Sequence, residues 1–218
     1  MKNIFILVVL ILFSANVVAA RGGGHHKLVE YDYHDYLNST IQTKTFVRYQ
    51  NGVEFGFVWS FDRSNPGIVI RTEIATDTGG SITRYTDSTF ASTTESFNLL
   101  QSRRYDPASS ALIDTTDYMP HVAKLTSAMV PGIAWSPAGT ISSTFSGESY
   151  YTEKSEVIAI EDVTVPAGTY SSCLKIHRTS QYGLSFYSRV DWVCPDMGVV
   201  KRINNGSVLI ELDSVTYN

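Results

Sequence analysis

Histidine, serine and acidic residues are the side chains of this sequence that could carry out chemistry, and none of them has a recognised catalytic spacing. The sequence contains no Gly-x-Ser-x-Gly elbow, no His-Glu-x-x-His pair and no glycine-rich phosphate loop. His121, after Pro120, could serve as a base, but we favour a solvated histidine or one at the start of a helix. We therefore expect no enzymatic activity and no cofactor, and a secreted hydrolase is only a third hypothesis.

A group of histidines near the N-terminus could capture a metal ion. His25, His26 and His34 lie close in sequence to Asp32 and Asp35. Imidazole and carboxylate groups are common ligands of transition metals, but this spacing fits no standard site. We expect adventitious capture of zinc or copper at most, and we predict no specific metal site.

The two cysteines are placed to form a disulfide. If their strands pair about a two-residue loop at Gly183-Leu184, Tyr182 faces Ser185 and the same register makes Cys173 face Cys194. The Cα atoms of the two cysteines would then be about 4.5 Å apart, within disulfide range. We predict a Cys173–Cys194 bridge, with two free buried thiols as the alternative.

The same register creates one electrostatic problem. It places Arg178 opposite Arg189, and like charges directly opposite each other destabilise a sheet. Asp191, diagonal to Arg178, could relieve this repulsion. A bulge that shifts the register is the other way to avoid it.

One strand carries an unusual concentration of aromatic residues. Asn51-Gly52 predicts a hairpin, in which Phe46 opposes Phe57 and strict alternation places the aromatic residues on one face. This face is either ordinary packed core or the wall of a partly open apolar cavity, since a curved sheet leaves a wide interior to fill. The residues that we predict to bind a ligand are Phe46, Phe55, Phe57, Trp59, Phe61 and Trp135.

The beginning of the chain has the features of a secretory signal. Lys2 precedes an apolar run, Ile4–Phe13, which is too short to span a bilayer. Val18-Ala19-Ala20 offers small residues for signal peptidase, so we expect residues 1–20 to be removed. With no cysteine near that cut, we expect a soluble periplasmic or secreted protein that has no lipid anchor and does not span the membrane. The net charge of −4 argues against nucleic acid as a partner.

Strand signals dominate after a flexible leader at residues 21–27. Alternating segments separated by glycine and proline turns predict about eleven strands in residues 28–218. The exception is Pro120–Met129, where Val122, Leu125 and Met129 have helical spacing and predict a short helix. We expect a single mainly β domain, an antiparallel open or half β-barrel with one or two short helices.

Two segments near the C-terminus resemble a known family. Residues 163–176 read VTVPAGTYSSCLKI and residues 190–202 read VDWVCPDMGVVKR. This pattern resembles exported bacterial envelope proteins whose module runs Val-Pro-Ala-Gly-Thr-aromatic, then Cys-Leu-Lys, then Trp-aromatic-Ala-Pro-Gly-Val-Gly-Leu-Val-Lys. Val130–Trp135 also resembles the mid-chain segment of that family. The resemblance assigns structural roles to Pro166, Gly168, Trp192, Pro195 and Gly198.

The resemblance implies a fold more than a function. The family shares its open half-barrel with the Lol-type lipoprotein carriers (LolA and LolB) and therefore implies a concave apolar side. Cys194 replaces the usual alanine of the family, and Asp196-Met197 replaces Gly-Val. The matched residues are turn and core positions, which say little about activity.

Two functional hypotheses follow. The leading one is a non-catalytic envelope protein that binds an acyl chain, a lipid (including the acyl chain of a lipoprotein) or another amphiphile in the concave apolar face. The alternative is a structural or protein-interaction module with a filled core, whose exposed sheet edges bind another envelope protein by strand addition. A hollow aromatic face would favour the first hypothesis, and a filled one the second.

Overall fold

A computed structural model describes residue 37 and residues 40–50 and 53–217 of the chain. The predicted signal, the leader, the histidines His25, His26 and His34 and the Asn51-Gly52 turn lie outside the described residues. Within them the chain forms thirteen strands. These are β1 (Ile41–Gln50), β2 (Val53–Asp62), β3 (Ile68–Thr76), β4 (Ile82–Ser92), β5 (Ser96–Tyr105), β6 (Leu112–Thr126), β7 (Ala134–Trp135), β8 (Ala138–Ser143), β9 (Gly147–Val165), β10 (Gly168–Tyr182), β11 (Ser185–Cys194), β12 (Gly198–Asn204) and β13 (Val208–Tyr217).

Twelve of these strands close into one antiparallel barrel. Successive strands pair around the sheet, β13 pairs with β1, and β9 pairs with both β8 and β10. The two-residue β7 adds to β9. The predicted antiparallel all-β barrel is confirmed, but the open half-barrel is wrong. Closure pairs the backbone groups that the edges of an open sheet would expose.

The predicted helix at Pro120–Met129 is also wrong, because most of this segment belongs to β6. Val122 and Leu125 are both buried although they are three residues apart. The pairing of β6 with β5 skips Lys124, so that Ala123 opposes Asn98 while Leu125 opposes Phe97. This extra residue breaks the two-residue period and imitates the spacing of an amphipathic helix.

The barrel is closed at one seam by a short strand and by side chains. β6 pairs with β8 only over residues 116–119. At this contact Gly139 is required, because a Cβ there would lie 2.3 Å from the Met119 carbonyl oxygen. Further along, Trp135 donates from Nε1 to the Ala123 carbonyl at 3.0 Å, and the Tyr151 hydroxyl donates to the Pro120 carbonyl. Trp135, on β7, therefore connects β6 to β9 at this seam.

The predicted β10–β11 hairpin is observed with its register. Tyr182 opposes Ser185 across the Gly183-Leu184 turn, and Gly183 has a φ of 55°. Cys173 and Cys194 form the predicted disulfide, with their Cα atoms 4.0 Å apart. The bridge lies in an apolar core, the disulfide core, whose buried members include Phe46, Phe57, Cys173, Trp192, Cys194 and Leu212.

The residues that carry the family resemblance build turns and walls of this disulfide core. Gly168 and Gly198 have φ values of 136° and 62°, which suit turns that other residues adopt only with strain. Trp192 is buried and donates from Nε1 to Glu161 at 2.5 Å. Pro166 and Pro195 lie in the turns that follow β9 and β11.

Candidate functional site

The barrel encloses a cavity of about 500 Å³. A barrel of eight strands is just filled by its own side chains, and a barrel of twelve is wider. The cavity is lined by side chains from strands around the barrel and by the β2–β3 turn at Asn65–Gly67. It therefore extends to the end of the barrel where that turn lies, and its volume is typical of small-molecule sites.

Near this end the cavity has an apolar wall, with Arg63 and Asn65 of the turn beside it. Phe61, Val69, Phe90 and Phe97 form this wall, and each lies within three residues of the β2–β3 or β4–β5 turn. Phe90 and Phe97 stack with their ring centroids 4.8 Å apart. These rings form an apolar wall that could contact an acyl chain.

The predicted aromatic face is divided between core and cavity. Phe46 and Phe57 oppose each other, as predicted, and are packed in the disulfide core. Trp59 is also a buried member of the disulfide core, and Phe61 is partly buried against it, but both of these residues line the cavity as well. The half-buried Phe55 lies under the Arg48 guanidinium, 5.6 Å from its ring, and neither it nor Trp135 lines the cavity.

Deeper in the cavity, one carboxylate holds three guanidinium groups. Asp191 is 1% exposed, and its oxygens lie 2.6 Å from Arg202, 3.1 Å from Arg178 and 3.3 Å from Arg189. Burial alone would raise the pKa of Asp191, but Arg202, Arg189 and Arg178 together hold it below its usual range. Asp191 thus relieves the Arg178–Arg189 repulsion, and the pairing of these two arginines is retained.

A second buried carboxylate extends this network. Glu153 is 2% exposed and lies 2.7 Å from Lys124 and 3.6 Å from Arg178. Burial would raise the pKa of Glu153, but these two cations lower it. Burial also lowers the pKa of Lys124 to about 8, against the opposing effect of Glu153. Glu153 therefore stays ionised at neutral pH.

Lys44 is a buried lysine whose ammonium is bound by backbone carbonyls. It is 4% exposed, and its ammonium donates to the backbone carbonyls of Met197 and Val199. In the described part of the chain no carboxylate lies within ion-pair distance of it. Burial, followed by the nearby charges of Arg63 and Arg71, lowers its pKa to about 7.

Arg71 stands between the aromatic rings of the cavity. Its guanidinium carbon lies 4.5 Å from the Trp59 ring centroid and 5.2 Å from that of Phe90. Its only carboxylate contact among the described residues is with Glu73, at 3.8 Å, and its Nε is buried without a hydrogen-bond partner. Burial lowers the pKa of Arg71 to about 10, so the side chain is charged and underpaired.

Sequence reasoning missed this set of charged residues. Alternation along β3, β10, β11 and β12 could have placed several of them inside, but buried charges are rare enough to argue against that interpretation. The useful signal was the Arg178–Arg189 pair beside Asp191, which the hairpin register already brought together. The missed residues are Lys44, Arg71, Lys124, Glu153, Arg178, Arg189, Asp191 and Arg202.

The remaining candidate residues do not join this site. His121, the candidate base, is exposed on β6. The described residues contain no group of three His, Cys, Asp or Glu side chains that could hold a metal ion. In the same part of the chain no helix is long and apolar enough to cross a membrane.

Comparison with known proteins supports the fold. No protein-family model matches the sequence, and no curated protein matches it at a significant level. Two crystal structures are similar in fold. One is of a Parabacteroides distasonis protein described provisionally as a lipoprotein, at 16% identity over 83% of this chain and 98% of that one, with a TM-score of 0.52. The other is of a Bacteroides fragilis protein described provisionally as exported, with a YmcC-like fold, at 16% identity over 83% and 97%, with a TM-score of 0.50.

Proposed function

We propose that this protein is an exported, non-catalytic envelope protein that binds an acyl chain or another amphiphile inside its barrel. The observation that carries the proposal is the 500 Å³ cavity, which has an apolar wall and a charged interior. Lipids and fatty acids combine these two chemistries in one molecule. Export is supported by the signal-like N-terminus and by the descriptions of the two structural neighbours.

The closed barrel weakens the alternative of a strand-addition module. That alternative relied on exposed sheet edges, and each of the twelve described barrel strands has a neighbour on both sides, with the pairing of β6 and β8 limited to residues 116–119 of β6. A partner that adds a strand needs a free edge. The cavity therefore supports ligand binding better than the sheet supports partner binding.

A cavity-filling variant tests the proposal. Ser88 is buried and lines the cavity, so a larger side chain at this position is expected to extend into it. Ser88→Trp should abolish the binding of a fluorescent fatty acid, while Ser81→Trp, at an exposed position, should leave binding unchanged. Circular dichroism should show both variants to be folded.

Native mass spectrometry provides the second arm of this test. Protein purified from the envelope of its own organism should carry a co-purified amphiphile in the wild type and none in Ser88→Trp. A wild-type protein that is free of ligand and does not bind the fluorescent fatty acid would contradict the proposal.

A further inference from the structure

The charges inside the barrel do not balance. Seven basic side chains line the cavity, and three carboxylates form ion pairs with them among the described residues. One of these carboxylates, Glu73, is shared with the exposed Arg84 at 3.3 Å. The basic residues are Lys44, Arg63, Arg71, Lys124, Arg178, Arg189 and Arg202.

Uncompensated buried charge is costly, so proteins usually pair it. The excess of positive charge is greatest around the Trp59 ring. Arg71 and Arg202 place their guanidinium carbons 4.5 Å and 5.4 Å from its centroid, and Lys44 is its cross-strand partner on β1. Arg202 lies 2.6 Å from Asp191, and Arg71 pairs only at 3.8 Å with Glu73, which also accepts a hydrogen bond from the Trp59 indole at 3.3 Å. Lys44 has no carboxylate within ion-pair distance among the described residues.

We propose that the amphiphile carries an anionic headgroup, a carboxylate or a phosphate, which binds between Lys44 and Arg71 beside Trp59. This inference rests on the proposed function and specifies the chemical class of its ligand. The unbonded Nε of Arg71 and the ammonium of Lys44 are donors that an acidic oxygen would accept from. The apolar chain then extends along Phe90 and Phe97 towards the end of the barrel.

The orientation of the ligand follows from the positions of these residues along the strands. Phe97 is the second residue of β5 and Phe90 lies two residues before the end of β4, so both are close to the β4–β5 turn. Arg71 is the fourth residue of β3 and contacts Phe90 from the interior side. The headgroup therefore lies deeper than the chain.

The test compares an acid with its uncharged ester. Dansyl-aminoundecanoic acid and its methyl ester differ only at the headgroup, and their dissociation constants are measured by fluorescence titration. Wild-type protein should bind the acid at least about tenfold more tightly than the ester, because the ester cannot form charge-assisted hydrogen bonds. Arg71→Gln should remove most of this preference, and Arg104→Gln, which removes an exposed arginine outside the cavity, should preserve it.

The outcomes separate this inference from the proposed function. Equal binding of acid and ester by the wild type would overturn the anionic headgroup while leaving an apolar ligand in place. Binding of neither probe would overturn both. In a third arm, inorganic phosphate is titrated as a competitor against the bound dansyl acid. Displacement at similar concentrations would show that the site recognises the free anion without any contribution from the apolar chain, and this would overturn the amphiphile as its ligand.

Discussion

The disulfide core and the charged cavity lie inside the same barrel and differ in how their side chains occupy its interior. In the disulfide core, Phe46 and Phe57 pack edge to face, 5.9 Å apart, and the Cys173–Cys194 bridge lies in the same cluster. In the cavity, long arginine side chains reach inward around Asp191 and leave open volume. A barrel of this width can thus be stabilised from one region while another stays available for a ligand.

The sharpest contrast lies between two residues on one face of β2. Phe57 is a buried member of the disulfide core, whereas Phe61, four residues later, is only partly buried against that core and lines the cavity. Phe57→Ala should lower the free energy of unfolding by about 4 kcal/mol, because it empties a packed site. Phe61→Ala should cost far less, since the cavity wall already lacks contacts on one side, and it should weaken fatty-acid binding. Denaturant melts of both variants measure the difference, and equal losses would show that the two regions do not differ in packing.

The charged cavity should depend on its carboxylates as strongly as the core depends on its rings. Asp191→Asn leaves three guanidinium groups without their shared partner and should destabilise the protein by about 3 kcal/mol. The pKa of Asp191 is lowered in the folded state, so its stabilisation is present above its unfolded value of about 3.9 and is lost as the pH falls below it. The difference between wild type and variant in thermal melts should therefore shrink on acidification, and a difference that is constant from pH 6 to pH 3 would argue against this role.

The disulfide should stabilise the protein by a comparable amount without affecting the cavity. The bridge joins residues 21 positions apart, and the chain-entropy relation assigns about 3 kcal/mol to such a loop. Cys173→Ala and Cys194→Ala should each lower the melting temperature, and the double variant should match either one. Fatty-acid binding should persist in all three, so its loss would show that the two regions are coupled.

The sequence predicted the hairpins better than it predicted the interior. Local signals were sufficient for the β10–β11 hairpin, because the turn chemistry of Gly183-Leu184 and the two-residue period determine the register. They failed where an extra residue, Lys124, disturbed the period and imitated a helix. Closure between β1 and β13 is a long-range pairing with no local signal.

The aromatic part of the candidate site could also be predicted from local patterns in the sequence. Alternation placed Trp59 and Phe61 on one face, and the structure places both on the cavity wall. Alternation could not show that Trp59 and Phe61 reach the cavity while Phe57 does not, because the packing of a strand face depends on what lies across the barrel. The buried arginines and Lys44 opposed the general tendency of charges to stay exposed, so only their neighbours in space explain them.

The smallest expected effect concerns the titration of Lys44. Its folded pKa is about 7, whereas an unfolded lysine has a pKa of about 10.4. The destabilisation by its buried charge is therefore complete below pH 7. Between pH 7 and about pH 10 the unfolded state binds more protons than the folded state, so the destabilisation disappears as the pH rises through this range.

The variant Lys44→Met isolates this titration. The advantage of Lys44→Met over the wild type should be largest at pH 6 and should shrink by at least about 1 kcal/mol at pH 9. Lys154→Met, at an exposed position, should show no such change between the two pH values. A pH-independent difference for Lys44→Met would mean that Lys44 is not charged and buried at once.

A crystal structure with a brominated fatty acid tests the binding of an amphiphile inside the barrel most directly. The anomalous signal of bromine on the acyl chain should lie within the cavity, against the stacked rings of Phe90 and Phe97. The carboxylate should lie within hydrogen-bond distance of Arg71 or Lys44. Bromine found only on the outer surface of the barrel, at ligand concentrations that saturate the fluorescence signal, would contradict ligand binding in the cavity.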